Sequence, residues 1–67
     1  MFMGEKLKKL RHIKGVSQEV VAKEICVSVS AYANYEQGIR IPNTEIIVNL
    51  CKYYKVSADY LLGIEER

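Results

Sequence analysis

The chain has no tryptophan and only one phenylalanine, one proline, one histidine and two cysteines among its 67 residues. Each scarcity removes a class of function. Cys26 and Cys51 stand far apart, each inside an apolar helical pattern, and do not form the cysteine framework that staples small secreted domains. With His12 as the only histidine, no His/Cys spacing matches a zinc site, and no metal or cofactor is expected. Neither cysteine accompanies a phosphate-binding loop or a nucleophile elbow, so the chain is not expected to be an enzyme. No apolar run approaches the ~20 residues of a membrane span. The start Met1-Phe2-Met3-Gly4-Glu5-Lys6 lacks the apolar core of a signal peptide. The expected address is therefore the cytoplasm, with no membrane partner and no small-molecule ligand inferred. Sustained two-residue alternation is absent as well, which argues against a sheet.

What is present is short and helical. A chain of this length makes one domain, residues 1–67, and buries only about 60% of its unfolded surface. Its core is thin, so association with a second copy is unsurprising. The net charge of +2 is unevenly spread. Residues 1–14 carry five basic side chains against Glu5 alone, whereas residues 15–67 carry five basic and seven acidic ones. A solvated helix face accounts for this basic end as readily as a binding patch does.

Caps and apolar spacing divide the chain into about five helices. The first runs from about Met3 to Ile13, with Leu7, Leu10 and Lys14 at helical spacing and Gly15 as a left-handed cap. Ser17 caps a second, Gln18 to about Ile25, whose inward face is Val21, Ala22 and Ile25. Ser28 caps a third that ends at Gly38, and Pro42 keeps the following segment extended. Asn43 caps a fourth, to about Tyr54, with Ile47, Leu50, Cys51 and Tyr54 as one stripe. Ser57 caps a last short helix through Leu62, closed by Gly63. The expected architecture is an all-α, compact bundle of about five short helices.

The second and third helices, about residues 17–38, are joined by only Cys26, Val27 and Ser28, with Val27 able to plug the core. A connection this tight makes the axes cross steeply and leaves one side of the third helix projecting. At 100° per residue, Val29, Ser30, Ala33, Asn34 and Gln37 fall on that side, and Tyr32 and Tyr35 fall opposite. The outward set is small and polar, which lets a helix backbone approach base edges. Asn pairs with adenine, Ser bonds several bases, and Val or Ala touches a thymine methyl. The same set also fits an ordinary solvated surface, and pattern alone leaves both readings open.

A set of short segments in fixed order resembles the Cro/lambda-repressor-like (XRE) helix-turn-helix family. They are Leu7-Lys8-Lys9-Leu10-Arg11, Gly15-Val16-Ser17-Gln18-Glu19, Val27-Ser28, Tyr35-Glu36-Gln37-Gly38, Pro42 and Val56-Ser57-Ala58-Asp59-Tyr60-Leu61-Leu62. Each is weak alone; their order and spacing from Leu7 to about Gly63 are specific. The resemblance implies a lambda-repressor-like DNA-binding domain and a transcriptional regulator, a repressor binding an inverted-repeat operator as a homodimer, with double-stranded DNA as its partner. It implies base reading by Val29, Ser30, Ala33 and Asn34. Phosphate contacts would come from Ser17, Gln18, Ser28, Gln37, Arg40 and Asn43, aided by exposed amides at the start of the second helix. Arg40 as a solvated loop charge stays an alternative. The family also pairs the position of Arg11 with that of Glu36, which makes these two architecture rather than phosphate ligands.

This sequence departs from the family pattern in three places. Cys26 occupies a turn position where glycine is frequent, at a cost of roughly 1 kcal/mol if its φ is positive. Val20 replaces an outward charge, and Thr44 a larger apolar residue. Beyond the bundle's needs stand Ile39, Ile41, Ile46, Tyr53, Tyr60 and Ile64. They are either scattered surface hydrophobes or a dimer surface formed by the last helix and nearby loop, with Tyr60, Leu61 and Ile64 as candidates. A helix-turn-helix scaffold used only to bind protein, and an antitoxin or restriction-system controller, are the alternative functions.

Overall fold

The computed structural model describes residues 2–64, which form five helices in the order α1 (Met3–Lys14), α2 (Gln18–Glu24), α3 (Val29–Gln37), α4 (Thr44–Tyr54) and α5 (Ala58–Leu62), with no strand among the described residues. The starts obey the caps read from the sequence. The side-chain oxygens of Ser17, Ser28, Asn43 and Ser57 accept the amides of Val20, Ala31, Ile46 and Tyr60, at 2.9–3.2 Å. Each satisfies one donor that the first helical turn leaves unpaired. No helix is long and apolar enough to cross a membrane.

All five helices end on a left-handed residue: Gly15, Cys26, Gly38, Lys55 and Gly63. After α2 the closure is a Schellman motif. Cys26 N–H donates to the Lys23 carbonyl at 3.2 Å and Val27 N–H to that of Ala22 at 2.9 Å. Cys26 has φ +63°, so the non-glycine cost foreseen for this turn applies. Each left-handed residue is followed by an apolar one. Val16, Val27 and Val56 pack against the core. Ile39 and Ile64 do not, and stand 67% and 68% exposed.

The core takes residues from every helix: Leu7, Val21, Ala22, Tyr32, Leu50 and Leu61, with Ile25 at the end of α2. α3 packs against both α1 and α2, while α5 packs against α1 and α4. The face of α4 differs from the expected stripe. Leu50 is buried, and Ile46, Cys51, Tyr53 and Tyr54 pack on the core, whereas Ile47 does not join it. Tyr54 is inward as expected, and Tyr53 joins it. Tyr54 turns inward so that its hydroxyl meets that of Tyr32 at 2.7 Å, and Tyr53 stacks edge-on against Tyr54 at 5.1 Å. Tyr53 also lies under the Lys14 ammonium, at 4.8 Å. Ile46, Tyr53 and Tyr60 are thus core-flanking rather than surplus.

Leu61, a candidate for contact with a second chain, is taken up within its own chain. It is 1% exposed and belongs to the core, because α5 is one turn long and seats on α1 and α4 through this side chain. Tyr60 is half-buried beside Lys6, whose ammonium donates to the Tyr60 carbonyl at 2.6 Å and lies 4.9 Å from its ring. Ile64 and the neighbouring Leu62 are the exposed apolar residues of this end.

Candidate nucleic-acid interface

α3 buries Tyr32 and Glu36 and turns its other side outward. Val29, Ser30 and Gln37 are exposed, and Ala33 and Asn34 are half-buried. Its C-terminal carbonyls are closed off: the Asn34 carbonyl accepts from Ile39 at 3.0 Å and from Arg40 at 3.3 Å. The loop carrying Arg40 is thereby tied to the end of α3, with the Arg40 side chain exposed. Asn43 follows at the start of α4, also exposed.

The expected phosphate-contacting side chains divide by chemistry. Ser17, Ser28 and Asn43 spend an acceptor oxygen on their helix caps. Each hydroxyl keeps its hydrogen to donate, and Asn43, with Oδ1 committed, turns its NH2 away from the helix. Caps of this kind are donors toward an anion, not acceptors from it. Gln37 and Arg40 are exposed donors of the ordinary kind.

Gln18 is placed differently from a free surface amide. Its Nε2 donates to Glu36 Oε1 at 3.0 Å, joining the first residue of α2 to the last turn of α3. Glu36 also receives Arg11 Nε on Oε2 at 2.7 Å, and Arg11 Nη1 donates to the Val16 carbonyl at 3.1 Å. One guanidinium therefore links α1, the approach to α2 and α3. The Glu36 side chain is 3% exposed, and that of Arg11 14%. Burial pushes the Glu36 carboxyl upward, but hydrogen bonds from Arg11, Gln18 and Tyr32 outweigh it and hold the pKa below the ordinary carboxylate value. The same bond to Glu36 raises the Arg11 pKa.

Three features of the region were not read from sequence. The Gln18–Glu36 bond joins positions eighteen residues apart, and nothing local signals it. The buried Lys6 was counted among the basic residues of the first helix, although its ammonium is turned inward to a backbone carbonyl. Gly4 packs against α3 so closely that a β-carbon would meet the backbone carbonyls of Glu36 and Tyr35. A glycine inside a helix, where alanine is intrinsically better, was the available clue.

No group of three or more His, Cys, Asp or Glu residues that could hold a metal occurs among the described residues. Burial pushes the Cys51 thiol up, opposite to the shift that activates a nucleophile.

A family model described as helix-turn-helix matches residues 7–61. Among curated relatives, the HTH-type transcriptional regulator ImmR of Bacillus subtilis is 36% identical over 98% of this chain and 52% of its own length. The transcriptional activator BcrR of Enterococcus faecalis is 38% identical over 98% of this chain and 32% of its own length. YazB of Bacillus subtilis, an uncharacterized HTH-type transcriptional regulator, is 36% identical over 94% of this chain and 91% of its own. The chain thus spans about half of ImmR, a third of BcrR and nearly all of YazB. Among solved structures, the P22 c2 repressor in complex with a synthetic operator matches with a TM-score of 0.90 at 32% identity, covering 92% of this chain and 94% of that one. A transcriptional regulator from Listeria innocua matches with a TM-score of 0.88 at 26% identity, covering 97% of this chain and 61% of that one. These relatives are transcription regulators, not enzymes, and the chain belongs to the Cro/lambda-repressor-like (XRE) helix-turn-helix family.

Proposed function

We propose that the chain binds double-stranded DNA sequence-specifically, inserting α3 into the major groove, and that it acts as a repressor by occupying an inverted-repeat operator as a homodimer. One observation carries this reading. The outward side of α3 bears only Val29, Ser30, Ala33, Asn34 and Gln37, on a backbone that matches an operator-bound repressor over 92% of its length. Side chains this short let the helix axis sit deep in the groove, where Ser and Asn reach base edges and Val and Ala reach thymine methyls. Ser17, Gln18, Ser28, Gln37, Arg40 and Asn43 supply donors to the sugar-phosphate backbone, which set register without reading sequence.

The dimer surface is the apolar cleft between the start of α1, the α3–α4 loop and α5, lined in part by Phe2, Ile41 and Leu62. Phe2, Ile41 and Leu62 are more than half exposed or at half exposure, and Ile39 and Ile64 extend the apolar surface. A two-fold dimer on such an operator should hold its two recognition helices about 34 Å apart, one helical turn of DNA. Repression would follow from occupancy where the operator overlaps a promoter, since the site is then closed to polymerase.

The test is selection from random duplexes, with the stoichiometry of the winning complex measured. The expected outcome is a palindromic site bound by two chains, with affinity falling steeply as salt rises. Equal affinity for every duplex would end the sequence-specific reading. A promoter–reporter assay with the selected site then decides between repression and activation.

A further inference from the structure

The Gln18 side chain makes one hydrogen bond among the described residues, and its acceptor is Glu36. Oε2 of Glu36 is occupied by Arg11 Nε at 2.7 Å, while Oε1 lies 3.0 Å from Gln18 Nε2 and farther, 3.4 Å, from Arg11 Nη2. Of these two side chains each thus serves mainly one carboxylate oxygen, and the Tyr32 hydroxyl bonds the same carboxylate. A carboxylate offers acceptors only, so the group facing it must be the NH2 of Gln18; the flipped amide would set oxygen against oxygen. Anchoring at one N–H leaves the second N–H and Oε1 in a fixed direction, at a residue beside the exposed cap Ser17.

We propose that Glu36 is a positioning residue for DNA binding: by accepting one N–H of Gln18 it fixes the amide so that the other is presented to a phosphate. This rests on the DNA reading above. Glu36 touches no DNA itself; it acts through Gln18, and it ties the phosphate-contacting start of α2 to the end of the recognition helix. An unanchored glutamine would lose rotamer freedom on binding and would present either end of its amide. Arg11 keeps Glu36 in place from the opposite side, so its role is one step further removed.

A double-mutant cycle on the selected duplex tests this, with folding of each variant checked by circular dichroism at the binding temperature. Gln18→Ala is expected to weaken binding roughly ten- to a hundredfold, the usual yield of one hydrogen bond to a charged group. E36Q, whose amide can accept from the Gln18 NH2 or donate to Gln18 Oε1 and so no longer selects one orientation, is expected to weaken binding by up to a similar factor in the unmodified chain and by nothing further in the Gln18→Ala background. An equal effect of E36Q in both backgrounds overturns the proposal, since the loss would then come from the fold. Should E36Q not fold, the unmodified chain decides: in an NMR acid titration the Gln18 side-chain amide should move with the Glu36 carboxyl carbon, and a silent amide overturns the anchor. A chain that selects no duplex overturns the DNA reading and the positioning role together. A chain that selects one but shows additive variants overturns the positioning role alone.

Discussion

Gly4 in α1 lies against the backbone of Glu36 in α3, so that a β-carbon added at Gly4 would sit 2.8 Å from the Tyr35 carbonyl oxygen and closer still to that of Glu36. Both obstacles are backbone, held by the closure of α3. Gly4→Ala is therefore expected to destabilise the fold by about 1–3 kcal/mol, the usual cost of overpacking. Helix propensity alone predicts the opposite, a gain of ~1 kcal/mol. Thermal unfolding of the variant distinguishes the two by sign.

Cys26 holds φ +63° at an exposed turn between α2 and α3. Cys26→Gly relieves that conformation and is expected to stabilise the chain by up to about 1 kcal/mol, less what the freer unfolded chain takes back. A small domain converts this into a rise in Tm of a few degrees, about 4–8 °C per kcal/mol. DNA affinity should not change, because Cys26 is not among the proposed contacts.

The hydroxyls of Tyr32 and Tyr54 meet at 2.7 Å. Burial, foremost, pushes the phenol of Tyr54 up to about 12 and that of Tyr32 well above the ordinary value of 10.0. An acid whose pKa is raised by folding gives stability that is whole below its unfolded pKa and falls as pH rises past it, because the unfolded chain releases its proton first. Urea unfolding at pH 9 and pH 11 should show lower stability at the higher pH. Tyr54→Phe should flatten that dependence by removing one of the two late-titrating phenols; an unchanged slope would contradict the assignment.

Phosphate and base contacts should separate in a salt series. Arg40→Ala is expected to weaken binding to all duplexes and to lower the slope of log affinity against log salt by about one unit. Ser30→Ala or Asn34→Ala should instead alter which site is preferred, by about 1–3 kcal/mol at the affected base pair, with the slope unchanged. Gln18→Ala should resemble Arg40→Ala in losing sequence-independent affinity but keep the slope, since a neutral amide neutralises no phosphate.

Ile41 is 83% exposed and Leu61 only 1%, although both border the same cleft. Ile41→Asp is expected to lower dimerisation and operator affinity at unchanged Tm, as read by sedimentation and by titration. Leu61→Ala should lower stability by about 2–5 kcal/mol, the range for emptying a buried leucine site.

Helix boundaries were legible because they are set by neighbours in the chain. Ser17, Ser28, Asn43 and Ser57 each reach an amide three residues on, and Gly15, Gly38 and Gly63 accept a conformation that other residues resist. The outward and inward sides of α3 were legible for the same reason, since a fixed rotation per residue separates Ser30 from Tyr32. The α4 stripe was read less well, because which of Ile46, Ile47 and Tyr53 turns inward depends on the ring it meets.

The sequence by itself thus determined five helices, their caps and the polar face of α3, all products of contacts within a few residues. Only the tertiary structure decided what long-range packing governs. It set Gly4 against Glu36, turned Lys6 inward to the Tyr60 carbonyl, placed Leu61 in the core rather than on a surface, and gave Gln18 a carboxylate to hold. Those partners lie eighteen to fifty-four residues apart in the chain. No local periodicity encodes such pairings; they arise when helices pack and a buried donor or acceptor must find a partner away from water.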